Sequence, residues 1–187
     1  MKNKIKNSIL SHIKIIQSLN QHKDKIETIA KSLINSLESG GRLFICGNGG
    51  SAADAQHMAA EFIGRFKKKR KPFPAVALTT DTSILTSIGN DFGFSEIFAR
   101  QIRGLGRKGD VLMAISTSGN SQNLVRATKQ AQRLKMTTVG ILGKGGGKLK
   151  KEVDICLIVD CIDTPRIQEA HSLIIHTICE LVENYFC

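Results

Sequence analysis

Apolar positions along the chain follow two arrangements, which predict alternating helices and strands. A helical period ends at Gly40 and links the apolar residues 26, 29, 30, 33, 34 and 37. Five short apolar runs follow, at 42–46, 75–78, 110–115, 137–142 and 154–159. These runs are continuous rather than alternating, which is typical of strands buried on both faces of a parallel sheet.

The order strand, glycine-rich turn, helix occurs twice. The run 42–46 leads into GNGGS and a helical stretch from Ala52 to about Phe66, and the run 110–115 leads into STSGNS and a helix to about Leu134. A long C-terminal helix follows from 165 to 185, with apolar residues at 167, 170, 174, 178, 181 and 185. The pattern predicts an α/β fold: a five-stranded parallel sheet flanked by helices on both faces, with a helical lead-in.

Length and composition predict a single domain over residues 1–187, with 1–40 as a helical N-terminal extension. The chain has 187 residues, 41% of them hydrophobic, and shows no linker or fixed repeat. No apolar run approaches the roughly 20 residues that span a bilayer, so we expect no membrane association and a cytoplasmic location. The five cysteines form no CxxC pair, and we interpret them as reduced thiols.

The chain is strongly basic, with 27 Lys and Arg against 16 Asp and Glu and a formal net charge of +11. Such a charge attracts nucleic acid, anionic membranes or phosphorylated substrates. Without Trp and with one Tyr, the chain has little material for base-stacking platforms, so we expect no nucleic-acid partner. We interpret the run KKKRK at 67–71 as a solvated loop, with nucleic-acid attraction as the alternative.

The turn STSGNS at 116–121 has the composition of a phosphate-binding loop. Ligands of a parallel sheet bind beyond the carboxyl ends of the strands, where the next helix points free N–H groups outward. Four hydroxyl groups surround Gly119 there, those of Ser116, Thr117, Ser118 and Ser121. Since a helix N-cap needs only one hydroxyl, the pattern favours phosphate binding over an N-cap with spare serines.

The turn GNGGS is more ambiguous. Gly47, Gly49 and Ala52 match the dinucleotide pattern G-x-G-x-x-G/A, but the chain has KKKRK where an acidic residue should contact the ribose. NAD is therefore disfavoured, and an NADP-dependent oxidoreductase is a distant alternative. A second glycine-rich stretch, GKGGGKLKK at 143–151, fails the Walker pattern, and we interpret it as a flexible basic loop.

His57 and Glu61 lie four residues apart on the helix that follows GNGGS, so both side chains share one flank. This flank lies opposite an apolar stripe of Met58, Phe62 and Phe66. Such a pair is most often a surface ion pair. The alternatives are one nitrogen and one oxygen ligand of a metal, or a carboxylate base oriented by an imidazole.

The C-terminal helix is apolar on nearly every side, which predicts that a partner chain covers part of it. With a core face on Ile174, Ile178 and Leu181, His176 points away from the core and is expected at an interface between protomers. The structural interpretation is that His176 is a hydrogen-bonded interface histidine. Gln168 lies ~12 Å from His176 along the helix axis, so the two converge only through long side chains or two subunits.

Four longer motifs carry a resemblance that covers the chain from about Gly40 to its end. They are CGNGGSAADAQHMAAEFIGRF, GNDFGFSEIFARQ, GDVLMAISTSGNS and RIQEAH followed by His176. Together they resemble the phosphoheptose isomerase family (sedoheptulose 7-phosphate isomerases), whose members have a sugar isomerase (SIS) domain. The resemblance implies interconversion of sedoheptulose 7-phosphate and D-glycero-D-manno-heptose 7-phosphate, the first step toward heptose for lipopolysaccharide or other surface glycans.

The resemblance also implies residue roles, a zinc ion in each subunit and a cytoplasmic homotetramer with sites between subunits. Glu61 and His176 match the acid and base pair, which we expect from neighbouring protomers. The zinc positions match His57, Glu61, Gln168 and His176. The sugar-phosphate contacts match Asn48, Gly49, Gly50, Ser51, Glu61, Asn90, Asp91, Ser116, Thr117, Ser118, Ser121 and Gln168.

A non-catalytic module with the same fold is the main alternative function. Such a module would associate with a replication initiator or sense a sugar phosphate, and it would need the phosphate-binding turn without the acid and base residues. Because Glu61 and His176 are both present, the sequence favours the enzyme.

Overall fold

The computed structural model describes residues 1–187, which form seven α-helices and five strands. In chain order the elements are α1 Lys2–Ser18, α2 Lys23–Glu38, β1 Leu43–Gly47, α3 Gly50–Ile63, β2 Ala75–Ala77, α4 Thr82–Phe92, α5 Ile97–Leu105, β3 Val111–Ser116, α6 Gln122–Arg133, β4 Thr137–Leu142, β5 Ile155–Ile158 and α7 Thr164–Phe186. The predicted α/β class, five strands, helical lead-in and long C-terminal helix are confirmed.

All five strands are parallel and lie in the order β2-β1-β3-β4-β5. The central pair is β1 and β3, in which Leu43 aligns with Val111 and Gly47 with Ile115. Every residue of these two strands is buried, as the continuous apolar runs predicted.

Alternate side chains of β1 enter two separate cores. On one face, Leu43 and Ile45 pack with residues of α2, α3 and α7. On the other face, Phe44 and Cys46 pack with α5 and α6. Successive side chains of a strand point to opposite faces, so one strand supplies both cores. The sheet is thereby held rigid between two helical layers.

The core face of α7 differs from the prediction at Leu181. This side chain is 39% exposed, whereas Ile175 and Val182 are buried within the chain itself. Helices α1, α2 and α3 all pack against α7. Ile175 and Val182, which lie outside the predicted core face, therefore need no partner chain, whereas Leu173 is 40% exposed and its coverage by a partner stays a prediction.

Two further local expectations were wrong. Helix α3 ends at Ile63, so Phe66 lies beyond it rather than in its core stripe. The segment 143–151 is packed rather than flexible: it forms two short 3-10 turns, its Leu149 is fully buried, and the Leu149 N–H donates to the Gly119 carbonyl at 2.9 Å. The buried leucine anchors this basic stretch to the turn after β3.

None of the helices has the length and apolar character that crossing a membrane requires. All five cysteines are unpaired.

His171 on α7 predicts how stability depends on pH. Its ring is fully buried, and burial lowers the pKa of His171 from 6.5 to about 4, a shift that the nearby Leu142 backbone partly opposes. As the pH falls, the unfolded chain binds a proton at His171 before the folded chain does. The contribution of His171 to the free energy of unfolding is therefore complete above pH 6.5 and is lost as the pH falls toward 4. We expect urea unfolding to show a loss of about 3 kcal/mol from this group between pH 7 and pH 4.

His171→Leu should remove most of this pH dependence of the free energy of unfolding. His22→Leu, at a partly exposed position, should leave the pH dependence unchanged. An identical pH dependence in wild type and His171→Leu would contradict the assignment.

Candidate active site

The two glycine-rich turns lie side by side at the carboxyl edge of the sheet. Strands β1 and β3 are neighbours, but the chain leaves them toward opposite faces: α3 packs in one core and α6 in the other. Such a switch point opens a crevice at the strand ends, where open α/β sheets bind ligands. The turn 47–51 follows β1 and the turn 116–121 follows β3, so the structure brings both predicted loops to this crevice.

The turn after β3 is held by its own serines. The Ser116 hydroxyl accepts from the Gly119 N–H at 3.0 Å, and the Ser118 hydroxyl accepts from the Asn120 N–H at 3.2 Å. Ser121 stands at the N-cap of α6 but makes no side-chain capping bond. The simple N-cap interpretation therefore fails for Ser121, while the O–H donors of Ser116 and Ser118 remain available to an anion.

A reciprocal amide pair joins the two turns. The Asn48 Nδ2 donates to Asn123 Oδ1 at 3.0 Å, and the Asn123 Nδ2 donates to Asn48 Oδ1 at 2.8 Å. Asn123 Oδ1 also accepts from the Leu124 N–H at 3.0 Å, which anchors it to the start of α6. Sequence reasoning missed Asn123, although its position two residues after Ser121 was an available signal.

His57, Glu61 and His176 form a compact cluster on the flank of α3 and α7. His57 Nε2 lies 3.2 Å from Glu61 Oε1 and 3.4 Å from His176 Nε2, and the three donor atoms all lie within 4.8 Å of one another. Glu61 and His176 thus meet within a single chain. The expectation that they come from neighbouring protomers is wrong, because α3 and α7 pack directly against each other.

This cluster is open to solvent on one side and packed on the other. The His57 side chain is 46% exposed and that of Glu61 is 22% exposed. The Phe66 ring lies 5.6 Å from the His176 ring, centroid to centroid. Near the two histidines, the Ser172 hydroxyl donates to Asp54 Oδ1 at 3.1 Å. Burial raises the pKa of Asp54, and the Ser172 hydrogen bond and the nearby histidines oppose that shift.

The remaining predicted site residues lie in two places. Gln168 on α7 sits against Gly50 at the start of α3, so tightly that a Cβ on Gly50 would collide with its amide. Within one chain, Gln168 is therefore not brought to the three-residue cluster. Asn90 and Asp91 lie exposed near the end of α4, where Asn90 donates to Asp91 at 2.8 Å. Both residues are exposed to solvent in the single chain.

Comparison with known proteins decides the family. A family model described as SIS domain matches residues 10–143. The phosphoheptose isomerase of Geotalea uraniireducens is 52% identical over 185 residues, covering 98% of this chain and 98% of that protein. Phosphoheptose isomerase structures from Neisseria gonorrhoeae and Francisella tularensis both superimpose with a TM-score of 0.94. Their identities are 41% and 38%, covering 98% and 97% of both chains.

The chain belongs to the phosphoheptose isomerase family. The resemblance noted in its motifs and the SIS fold are both confirmed.

The basic run at 67–71 contains one member of a buried ion pair. The four lysines of this run are exposed, as predicted for a solvated loop, but the Arg70 side chain is only 5% exposed and pairs with Glu183 of α7, whose side chain is 2% exposed. Burial opposes ionisation of Glu183, but N–H donors of Lys67, Lys68, Phe66 and Arg70 outweigh it and lower the pKa of Glu183 to about 2. Sequence carried no signal for this pair, because Arg70 is indistinguishable from the lysines around it.

Gly119→Ala should damage the turn that is predicted to bind phosphate in this phosphoheptose isomerase family member. Gly119 has φ +65°, and a Cβ there would collide with the carbonyl oxygen of Gly146. We expect a loss of about 1–3 kcal/mol in stability and, by calorimetry, at least roughly tenfold weaker binding of inorganic phosphate.

Gly104→Ala on α5 is the matched control, since a Cβ there meets nothing within 4 Å. Equal phosphate affinity in the two variants would contradict the role given to the turn.

Proposed function

We propose that this protein interconverts sedoheptulose 7-phosphate and D-glycero-D-manno-heptose 7-phosphate as the first step of heptose precursor synthesis for lipopolysaccharide or other surface glycans. The observation that carries the proposal is the cluster of Glu61 with His57 and His176, whose donor atoms all lie within 4.8 Å of one another. Membership of the phosphoheptose isomerase family supports the same reaction. A binding module of the SIS fold would have no need of this acid and base pair.

The turns after β1 and β3 hold the phosphate of the substrate. The hydroxyls of Ser116, Thr117, Ser118 and Ser121 donate to its oxygens, and the start of α6 adds free N–H groups and the positive end of a helix dipole. Asn48, Gly49, Gly50 and Ser51 line the other side of the crevice, with Gln168 above Gly50. Asn90 and Asp91 complete the substrate contacts that the family resemblance implies.

Isomerisation moves one proton between two carbons, and Glu61 is the base. Glu61 removes a proton from C1 of the ketose, the electron pair forms the C1–C2 double bond, and O2 takes up a proton to give an enediol. Return of a proton to C2 with loss of the O1 proton yields the aldose. His176 moves the hydroxyl protons, so the reaction needs no external oxidant or reductant.

The same cluster fits a zinc ion. Its donors are two imidazole nitrogens and one carboxylate oxygen, a ligand set that zinc prefers. Two ligands of a tetrahedral zinc ion lie ~3.4 Å apart, close to the observed separations of 3.2 Å and 3.4 Å. His57, Glu61 and His176 would hold one ion per subunit, with Gln168 from another subunit as a further ligand. The ion would polarise the substrate carbonyl.

The spacing along α3 supports sites built from more than one subunit. Glu61 lies eleven residues beyond Gly50, or ~16 Å along the helix axis. A seven-carbon sugar phosphate spans about 10 Å from C1 to phosphorus, judged from the 3.8 Å that three backbone bonds cover. In the proposed assembly, the phosphate turn of one protomer acts with the Glu61 cluster of another.

The proposed assembly is a homotetramer, in which residues 1–40 contribute to oligomerisation. Helix α1 supports this role, because Ile5, Ile9, Leu10 and Ile13 on it are between 44% and 61% exposed. Such a row of apolar side chains is typical of an interface. Five unpaired cysteines fit the reducing cytoplasm, where we place the protein.

Glu61→Gln and His176→Gln should each lose about 10²- to 10⁴-fold in turnover of sedoheptulose 7-phosphate, because each removes one proton-transfer group. Glu27→Gln and His22→Gln, outside the cluster, are the matched controls and should keep wild-type rates. Full activity in either cluster variant would remove the catalytic assignment, and inactive wild-type protein would favour the binding module.

Elemental analysis of protein purified without added metal should find about one zinc per chain in wild type and little in His57→Ala. His22→Ala should retain the wild-type content. Chelation should abolish activity and added zinc should restore it. Full activity in verified metal-free protein would contradict an essential ion.

A further inference from the structure

The buried pair of Arg70 and Glu183 lies directly behind the Glu61 cluster and serves no described role. The Arg70 Nε donates to Glu183 Oε1 at 2.9 Å. Both side chains are at least 95% buried, at 5% and 2% exposure. Burying two charges is costly, and replacement of such pairs by apolar residues is often neutral or stabilising. Stability alone therefore does not explain why this ion pair is buried at this place.

Glu183 fixes the segment that follows α3. Its Oε1 accepts from the Phe66 N–H at 3.0 Å, and its Oε2 accepts from the N–H groups of Lys67 and Lys68 at 2.6 Å and 2.8 Å. One carboxylate thus binds three successive backbone donors in addition to Arg70. Charge-assisted bonds of this kind are about twice as strong as neutral ones. The loop is tied to α7 at this point.

Arg70 uses its remaining donors on the last turn of α3. Its Nη2 donates to the Glu61 carbonyl at 2.6 Å, and its Nη1 donates to the Phe62 carbonyl at 2.8 Å. These carbonyls have no partner within the helix, and a cation there complements the negative end of the helix dipole. The guanidinium also lies over the Phe73 ring at 3.9 Å. Its planar fork matches the two adjacent acceptors.

The buried pair of Arg70 and Glu183 is linked to both members of the acid and base pair. Arg70 binds the backbone of Glu61 itself, and Glu183 binds the backbone of Phe66, whose ring lies against His176 at 5.6 Å. We propose that Arg70 and Glu183 are positioning residues, which hold Glu61 and His176 in register for proton transfer. The inference rests on the roles proposed for Glu61 and His176.

A second ion pair between the same loop and the same helix provides the matched control. Lys67 Nζ lies 2.7 Å from Glu180 Oε1, but these side chains are 58% and 43% exposed. Glu180 precedes Glu183 by one helical turn and binds no backbone N–H of the loop. Glu180→Gln and Glu183→Gln therefore make the same chemical change on one helix, with only the second disturbing the buried network.

Steady-state kinetics with sedoheptulose 7-phosphate should separate positioning from general stability. For Glu183→Gln we expect kcat to fall about 10- to 100-fold, since small displacements of reacting groups have effects of this size. We expect KM to stay within about threefold, because the phosphate turn belongs to other elements. Glu180→Gln should keep both constants. Zinc affinity, measured by competition with a chelator, should fall about 10- to 100-fold in Glu183→Gln alone.

Arg70→Lys provides a second test, which also applies if Glu183→Gln fails to fold. Lysine keeps the charge but lacks the fork, so we expect an intermediate loss of kcat with KM nearly unchanged. A lowered Tm with wild-type kcat and zinc affinity in the folded protein would overturn the proposal, as would equal effects of Glu180→Gln and Glu183→Gln.

Failure of the proposed function has a different signature. In that case wild-type protein would not turn over sedoheptulose 7-phosphate, or Glu61→Gln or His176→Gln would keep full activity, whatever the result for Glu183→Gln.

Discussion

The order of strands in the sheet is the constraint on which the rest of the molecule depends. Because β1 and β3 are neighbours and their following helices pack on opposite faces, two turns that are about seventy residues apart in the chain meet at one crevice. The reciprocal amide bonds of Asn48 and Asn123 then fix the separation of these turns. Without this order, the serine hydroxyls would lie on an ordinary loop.

Local patterns were sufficient to predict the elements, and they indicate a chemistry for the turns. Continuous apolar runs identified all five strands, because both faces of the sheet are covered. The four hydroxyls around Gly119 predict a phosphate-binding turn, because a helix N-cap does not need them, and this role stays a prediction. The spacing of His57 and Glu61 placed both on one flank of α3, and the structure places them 3.2 Å apart.

Features that depend on packing between distant segments could not be predicted. The buried side of α7 depends on three helices of the same chain, so the period of its apolar residues misplaced Leu181. Arg70 lies in a run of like charges, and only the position of Glu183, more than one hundred residues later, distinguishes it. His176 was expected beside another protomer, because the direct packing of α3 on α7 was not visible in either helix alone.

Gly119 and Gly146 illustrate how tightly the crevice is built. Backbone contacts backbone there, and a side chain on Gly119 has no space because it would meet the Gly146 carbonyl. A side chain at position 119 would require the Gly146 carbonyl to move, so the conformation of one turn restricts the sequence of the other. Under the proposed function, variation that adapts this scaffold to shorter or longer sugars would accumulate at the end of the substrate that lies away from these two glycines.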